Sequence, residues 1–411
     1  MTLDAVVYDA AEVFAVDEDG DPVVHEDGAV AVVDGEVAAV GDARAVTREY
    51  PPANADTGVD AAGKTVLPGF VDPHTHALFA GDRSDEFAAK LWGKTYQEIT
   101  AEGGGIARTV RATRAADREE LLAGLLDHLD WMLAHGSTTV EVKTGYGLDV
   151  ETELRMLEVV AAADDRHPVD VVPTFLGAHA VPEGVDADEY VDRVVDEQIP
   201  AVAEQGLAEF VDVFTEEGFF DVEQSRRVLE AGKDAGMTPK VHAEELSHLG
   251  GAKLAAEVGA ASADHLLHAT DEDAAAMAAA GVVPVLLPGT AFSLGADYAD
   301  PERFRRAGAP VAVATDFNPN CYSRNMNFAV ALASVEMGMV PDEALVAATR
   351  NAALAVDRPG LGTLREGTPA DLSVIDAPTR VHVPYSFGEN LVETVLKAGD
   401  VVYRDGGEVL R

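Results

Sequence analysis

The stretch Asp72-Pro73-His74-Thr75-His76 carries the residues most able to do chemistry, and it closes an apolar run of strand length from Val66 to Val71. Side chains two apart in a strand share a face, so the spacing predicts His74 and His76 side by side with Thr75 directed away. Paired imidazole nitrogens suit zinc or ferrous iron, and a catalytic site needs further ligands and an open position for water. A lone H-x-H is equally compatible with two structural histidines; its partners downstream decide. His242 adds a third nitrogen and Asp316 a carboxylate. These four are expected to hold one ion, zinc or iron, per subunit. Such an ion acidifies bound water and polarises a carbonyl, which makes hydrolysis the natural outcome. Glu245, three residues beyond His242, could carry a proton between water and a leaving nitrogen, with His265 orienting it or sharing the work.

Lys143 offers an alternative, since a strand-end lysine can be carboxylated to bridge two metals. An ion pair with Glu141 or another carboxylate is the preferred reading, with a single metal. Arg83 presents a planar guanidinium suited to a substrate carboxylate, against an ordinary surface ion pair. The glycine-led run Glu102 to Arg114 lacks the Gly-Lys-Ser/Thr of a phosphate loop and is read as a flexible lid over the barrel.

The elements that must position these residues alternate. Short apolar strands end at Thr139–Gly147, Val171–Ala180, Phe210–Gly218, Pro239–Glu245, Ser262–Leu266, Val282–Gly289 and Val311–Asn320, with helical spacing between them from Glu151 and from Gly250. With the opening strand these make about eight βα units, the number that closes a (β/α)8 barrel. His74, His76, Lys143, His179, His242, Glu245, His265 and Asp316 all fall at or just past predicted strand ends, the catalytic rim of such barrels. The first residues read as β structure, with Asp34-Gly35 marking a hairpin. After the barrel the chain from Arg350 returns to β character, in a piece too short to bury its own core. It is expected to pair with the N-terminal strands in a composite β-sandwich, giving segments 1–65, 66–370 and 371–411.

Composition narrows the function. With 73 acidic against 30 basic residues the formal charge is -43, which repels nucleic acid. No run is long enough to cross a membrane. A single cysteine, Cys321, precludes an internal disulfide and a cysteine metal cluster. No basic leader precedes the first strand, and a cytoplasmic protein with a small-molecule substrate is expected. The acidic runs read as a solvated surface adapted to a salt-rich cytoplasm, hence a halophilic source.

Several segments together carry a likeness: Val66–His76, Phe79–Phe87, Glu102–Ile106, Glu141–Leu148, Phe175–Pro182, Lys240–Leu266, Ala314–Asn320, Ala348–Val356 and Gly367–Asp376. Nearly end to end, the chain resembles the imidazolonepropionase family of the amidohydrolase superfamily. The resemblance implies ring opening of 4-imidazolone-5-propanoate by water to N-formimidoyl-L-glutamate. It also implies metal ligands at His74, His76, His242 and Asp316, catalytic roles for Glu245, His265 and Asp316, and a homodimer. Substrate contacts would fall on Arg83, Tyr146, His179, Glu245 and Asn318. Asn320 and Cys321 stand where the family usually has glycine and a small hydroxyl residue. Asparagine tolerates positive φ, so the turn is expected to survive, with both side chains near the product. The rival readings are another amidohydrolase acting on a heterocycle, such as an aminohydrolase, and an inactive binding protein on the same barrel.

If the acidic surface is an adaptation to salt, unfolding followed at increasing salt should show stability rising as screening improves. Equal or greater stability at low salt would refute the adaptation.

Overall fold

The computed structural model describes residues 2–407 and 409, and the backbone alone at 96, 97 and 100. The chain opens with β1 (Leu3–Val16), β2 (Pro22–Val33), β3 (Glu36–Asp42), β4 (Thr57–Asp60) and β5 (Thr65–Pro68). Val33 pairs with Glu36 across Asp34 (φ 50°) and Gly35 (φ 81°), so both loop residues take the positive φ that a tight hairpin needs.

The run from Val66 to Val71 is not one strand. It breaks at Gly69, and its two halves serve different sheets. β5 lies between β1 and the C-terminal strand β14, whereas β6 (Phe70–Asp72) starts the barrel. Burial explains why the break is silent in the pattern: Thr65 to Val71 is inaccessible on both sides of Gly69, so no polar residue marks the handover.

The barrel continues with β7 (Ser137–Lys143), β8 (Asp170–Ala178), β9 (Phe210–Thr215), β10 (Thr238–Ala243), β11 (Ser262–His265), β12 (Val283–Leu286) and β13 (Ala312–Val313), each parallel to its neighbour. The first and last strands meet beyond their ends. Thr75 bridges Phe317 in parallel, Asp316 N donates to His74 O (3.1 Å), and both oxygens of Asp72 accept from Thr315. The interior is layered. Val71, Val172, Phe210, Val285 and Ala312 belong to an apolar lower cluster, and Glu141, Lys143, Asp212, Lys240 and Asp264 are fully buried farther along the strands.

The helices spend part of the acidic complement on their own ends. Asp42, Asp117, Asp149, Asp186, Asp221 and Asp300 each accept a backbone N–H as N-caps, where a carboxylate also meets the positive end of the helix dipole. The segment from Arg350 does not begin as β structure: Arg350–Ala355 is a helix, as its alanine content favours. After it, β14 (Leu372–Ile375), β15 (Val392–Lys397) and β16 (Asp400–Arg404) complete one eight-stranded sheet with the N-terminal strands. That sheet curls on itself: a Cβ added at Gly399, between β15 and β16, would lie 2.8 Å from Val32 of β2. No helix among the described residues is long and apolar enough to cross a membrane.

A Cβ at Gly69 would collide with the Thr138 side chain and approach its Cβ to 2.9 Å. Gly69→Ala should therefore cost ~1–3 kcal/mol of stability in chemical denaturation at fixed high salt. An unchanged midpoint would show that Thr138 can move aside.

Candidate active site

The histidine pair leaves the barrel just past β6, and its loop is pinned from behind. Thr75, turned away as the spacing predicts, donates its hydroxyl to Glu141 O (2.6 Å), and its carbonyl accepts Lys143 N (3.0 Å). His74 Nδ1 lies 2.6 Å from Asp264 Oδ2, and His242 Nδ1 lies 2.9 Å from Asp212 Oδ2. An ionised carboxylate only accepts, so His74 Nδ1 carries the proton and its Nε2 turns a lone pair to the barrel mouth. His242 Nε2 stands 3.3 Å from His76 Nε2, and Asp316 Oδ1 is 3.6 Å from Nε2 of both His74 and His76.

These atoms fit a cation. Nitrogen ligands ~2.0–2.1 Å from one tetrahedral ion stand about 3.4 Å apart. His74 Nε2 and Asp316 Oδ1 are buried without any hydrogen-bond partner, a costly state that a cation between them would relieve. His74, His76 and Asp316 offer ligand atoms within 4.8 Å of one another; His74, His242 and His265 form a second such set. His265 is thus close enough to compete for a coordination position.

Burial keeps the His74, His76 and His265 imidazoles neutral, as ligation needs. Desolvation, then the Lys143 charge, holds His74 well below the usual histidine range; desolvation and His179 do so for His76, and desolvation and His242 for His265. Loss of hydration raises the Asp316 carboxyl, opposed by the Thr290 hydroxyl that donates to its Oδ2. Desolvation alone would raise Asp212 too, but His242 and Lys143 outweigh it and hold that carboxyl well below its ordinary value. Glu245 is pushed up to about 8 by desolvation and by Asp316, and its Oε2 stands 3.7 Å from His265 Nε2. His265 (φ 80°) and Asp316 (φ 49°) both occupy the left-handed region, a constraint typical of functional positions.

A cavity of about 350 Å³ opens above this cluster. Arg83, Tyr146, His179, Glu245, Asn318 and Asn320 line it, as do Phe214, Phe219 and Leu246. Arg83 is buried rather than on the surface. Its Nε donates to Glu86 Oε2 (2.8 Å), and Glu86 in turn accepts Gly105 N (3.2 Å), so the glycine run helps to aim the guanidinium. The terminal nitrogens of Arg83 have no hydrogen-bond partner among the described residues, leaving the bidentate edge for a ligand. His179 stacks on His76 (4.9 Å, 16°) and donates Nδ1–H to Gly145 O (3.0 Å), which leaves its Nε2 as an acceptor. Gly145 (φ 101°) permits that approach: a Cβ there would meet Leu176 O at 2.8 Å. Burial lowers His179 to about 3, so its ring is neutral.

Three expectations need correction or narrowing. Cys321 does not line the cavity: its Sγ turns into the body 3.7 Å from Thr315 O, because the thiol is the apolar end of the turn. Asn320 faces the cavity but needs no positive φ; its Oδ1 accepts Lys90 Nζ (2.8 Å). Asn318 is largely spent on the turn itself, with Nδ2 donating to Asp316 O (2.8 Å) and Oδ1 accepting the N–H groups of Asn320 (2.7 Å) and Cys321 (2.9 Å). Lys143 makes the ion pair with Glu141 (2.8 Å) and a second with Asp212 (2.8 Å). An ammonium held charged among carboxylates is a poor candidate for carboxylation, which needs the free amine. Asp212, Asp264 and Thr290 were not singled out in the sequence, although an acid inside the apolar strands Phe210–Thr215 and Ser262–His265 is itself a signal of buried pairing.

Residues 65–402 match the amidohydrolase family, and the chain belongs to that family. It is 69% identical over 404 residues to the imidazolonepropionase of Haloarcula marismortui, covering 98% of this chain and 96% of that protein. The imidazolonepropionase of Halobacterium salinarum is 62% identical over 99% of both chains, and that of Geobacillus kaustophilus 50% identical over 93% of this chain and 91% of its own. The first two of these sources are halophilic archaea, in line with the acidic surface. Among solved structures, a zinc-bound adenosine deaminase from Xanthomonas campestris superposes with a TM-score of 0.76 at 19% identity, covering 99% of this chain and 94% of its own. A triazine hydrolase variant gives 0.75 at 16%, covering 99% and 96%. At these identities the likeness is one of fold.

Proposed function

We propose that this hydrolase is an imidazolonepropionase, opening 4-imidazolone-5-propanoate at its cyclic amide C–N bond to give N-formimidoyl-L-glutamate. One observation supports it most: a single cavity holds both the cation-ready cluster and a buried arginine with its bidentate edge free. His74, His76, His242 and Asp316 would hold one zinc or iron ion, which when bound acidifies water and polarises the substrate carbonyl. Arg83 binds the propionate carboxylate. His179 accepts a ring N–H through Nε2, and Tyr146 packs beside it, their rings 5.2 Å apart. Water oxygen bonds to the carbonyl carbon, the ring C–N bond breaks, and one water proton ends on the departing nitrogen. Glu245 and His265 stand where they can pass that proton, and Asp316 can accept it first. Asn318 and Asn320 shape the wall opposite, while Cys321 supports their turn from below. A homodimer in the cytoplasm, without nucleic-acid or membrane partners, accompanies this reading.

Purified protein should remove the imidazolone absorbance in proportion to its zinc or iron content, and should leave guanine and triazines unchanged. Deamination of either ring with imidazolone untouched would transfer the chain to the aminohydrolases. Arg83→Ala should raise KM and spare kcat, since its partner is a non-reacting carboxylate; an unaltered KM removes Arg83 from that role. Glu245→Gln should lower kcat at least ~10²-fold with metal content retained, and wild-type turnover would rule out its proton-transfer role.

A further inference from the structure

Beneath the cluster, the barrel holds charges that the reaction above does not use. Lys143, on β7, is fully buried and does not line the cavity. Its ammonium lies 2.8 Å from Asp212 Oδ2 and 3.7 Å from Asp264 Oδ2. Those are the same two oxygens that take Nδ1 of His242 and of His74. One cation therefore sits between the anchors of two imidazoles that arise on different strands. Asp212 is fixed from its other side as well, because its Oδ1 accepts His242 N (3.2 Å) and Val213 N (2.7 Å). Glu141 takes the remaining reach of Lys143 (2.8 Å) and also pairs with Lys240 (3.1 Å), whose Nζ donates to Pro73 O (2.8 Å) just before His74.

We infer that Lys143 is a positioning residue for the cation site, fixing the spacing of the His74 and His242 rings through the two carboxylate oxygens it shares with them. Stability alone gives a weak reason to keep such a group: buried ion clusters lose much of their attraction to desolvation, and apolar side chains of similar volume often serve as well. Geometry gives a better one. Partners behind metal-binding histidines set ring orientation, and their loss commonly weakens metal affinity ~10–100-fold. Pinning both oxygens with one ammonium makes the two rings move together, so the distance between their Nε2 atoms is set by the barrel floor rather than by two independent rotamers.

This inference rests on the cation site proposed above, and the experiment separates the two. Zinc affinity is measured by chelator competition on the full chain at high salt, together with the visible spectrum of the cobalt-loaded protein, which reports ligand geometry. Wild type that binds neither metal refutes the site itself. With wild type binding, Lys143→Gln should keep its fold by circular dichroism, lose at least ~10-fold in zinc affinity and shift the cobalt bands, with KM little changed. Glu141→Gln, which removes a charge from the same buried layer but touches neither shared oxygen, should bind zinc as wild type does. Unaltered affinity and spectrum in Lys143→Gln, or an equal loss in Glu141→Gln, would overturn the inference. If Lys143→Gln does not fold, Lys143→Arg decides: retained affinity and spectrum support the role of the cation, and their loss in a folded variant refutes it.

Discussion

The barrel mouth depends on one repeated contact, an imidazole Nδ1 held against a buried carboxylate. His74 donates Nδ1–H to Asp264, whereas His242 Nδ1 stands 2.9 Å from Asp212 Oδ2 without hydrogen-bond geometry. Because the acceptor cannot donate, the His74 ring is fixed in one tautomer with a lone pair aimed at the barrel mouth. Strand register makes the pairing possible. β10 and β11 pair so that His242 stands beside Asp264 and Ala243 beside His265. Side chains alternate along a strand, so a slip of one residue would send His242 outward into the helices and bring an alanine to the mouth.

The second constraint is closure. His74 and His76 follow the first barrel strand and Asp316 follows the last, some 240 residues later. They meet because the strand ends are sewn together by Asp72 and Thr315 and by the Thr75–Phe317 bridge. β13 itself is only two residues long, so these side-chain bonds replace ladder hydrogen bonds that so short a strand cannot supply. Asp72 shows the cost. It is fully buried, desolvation pushes its carboxyl up to about 7, and the two Thr315 donors offset only part of that.

Much of this was legible in the residues. All eight barrel strands lie where short apolar runs end in polar residues, and the rim cluster follows from those ends, because a parallel strand buried on both faces leaves little else to read. The handover at Gly69 was not legible for that same reason, since unbroken burial erases the alternation that marks a boundary. Arg350–Ala355 opens a segment whose overall character is β, yet its local propensity favours the helix it forms. At the site, spacing could place His242 and Asp316 but not their supports. Asp212 and Asp264 gain meaning only through contacts across strands, and the turn that consumes Asn318 and hides Cys321 depends on three-dimensional hydrogen bonding that no sequence pattern encodes.

The distribution of charge joins the surface to the site. A chain carrying -43 overall presents a repulsive field to any anion, and a propionate-bearing substrate must cross it. Where salt is dilute this field reaches ~30 Å, whereas at 1 M it is screened within ~3 Å. The acidic exterior therefore opposes catalysis least in the medium that such an exterior suits. Inside, the balance is reversed. Of the basic residues, Arg83 is buried in the cavity wall and Lys143 and Lys240 lie beneath it, where salt screens them less than surface charges. On the proposed reading, recognition of the anion rests on a buried cation, Arg83, aimed by Glu86 and the backbone of Gly105, which salt screens less than it would a surface lysine.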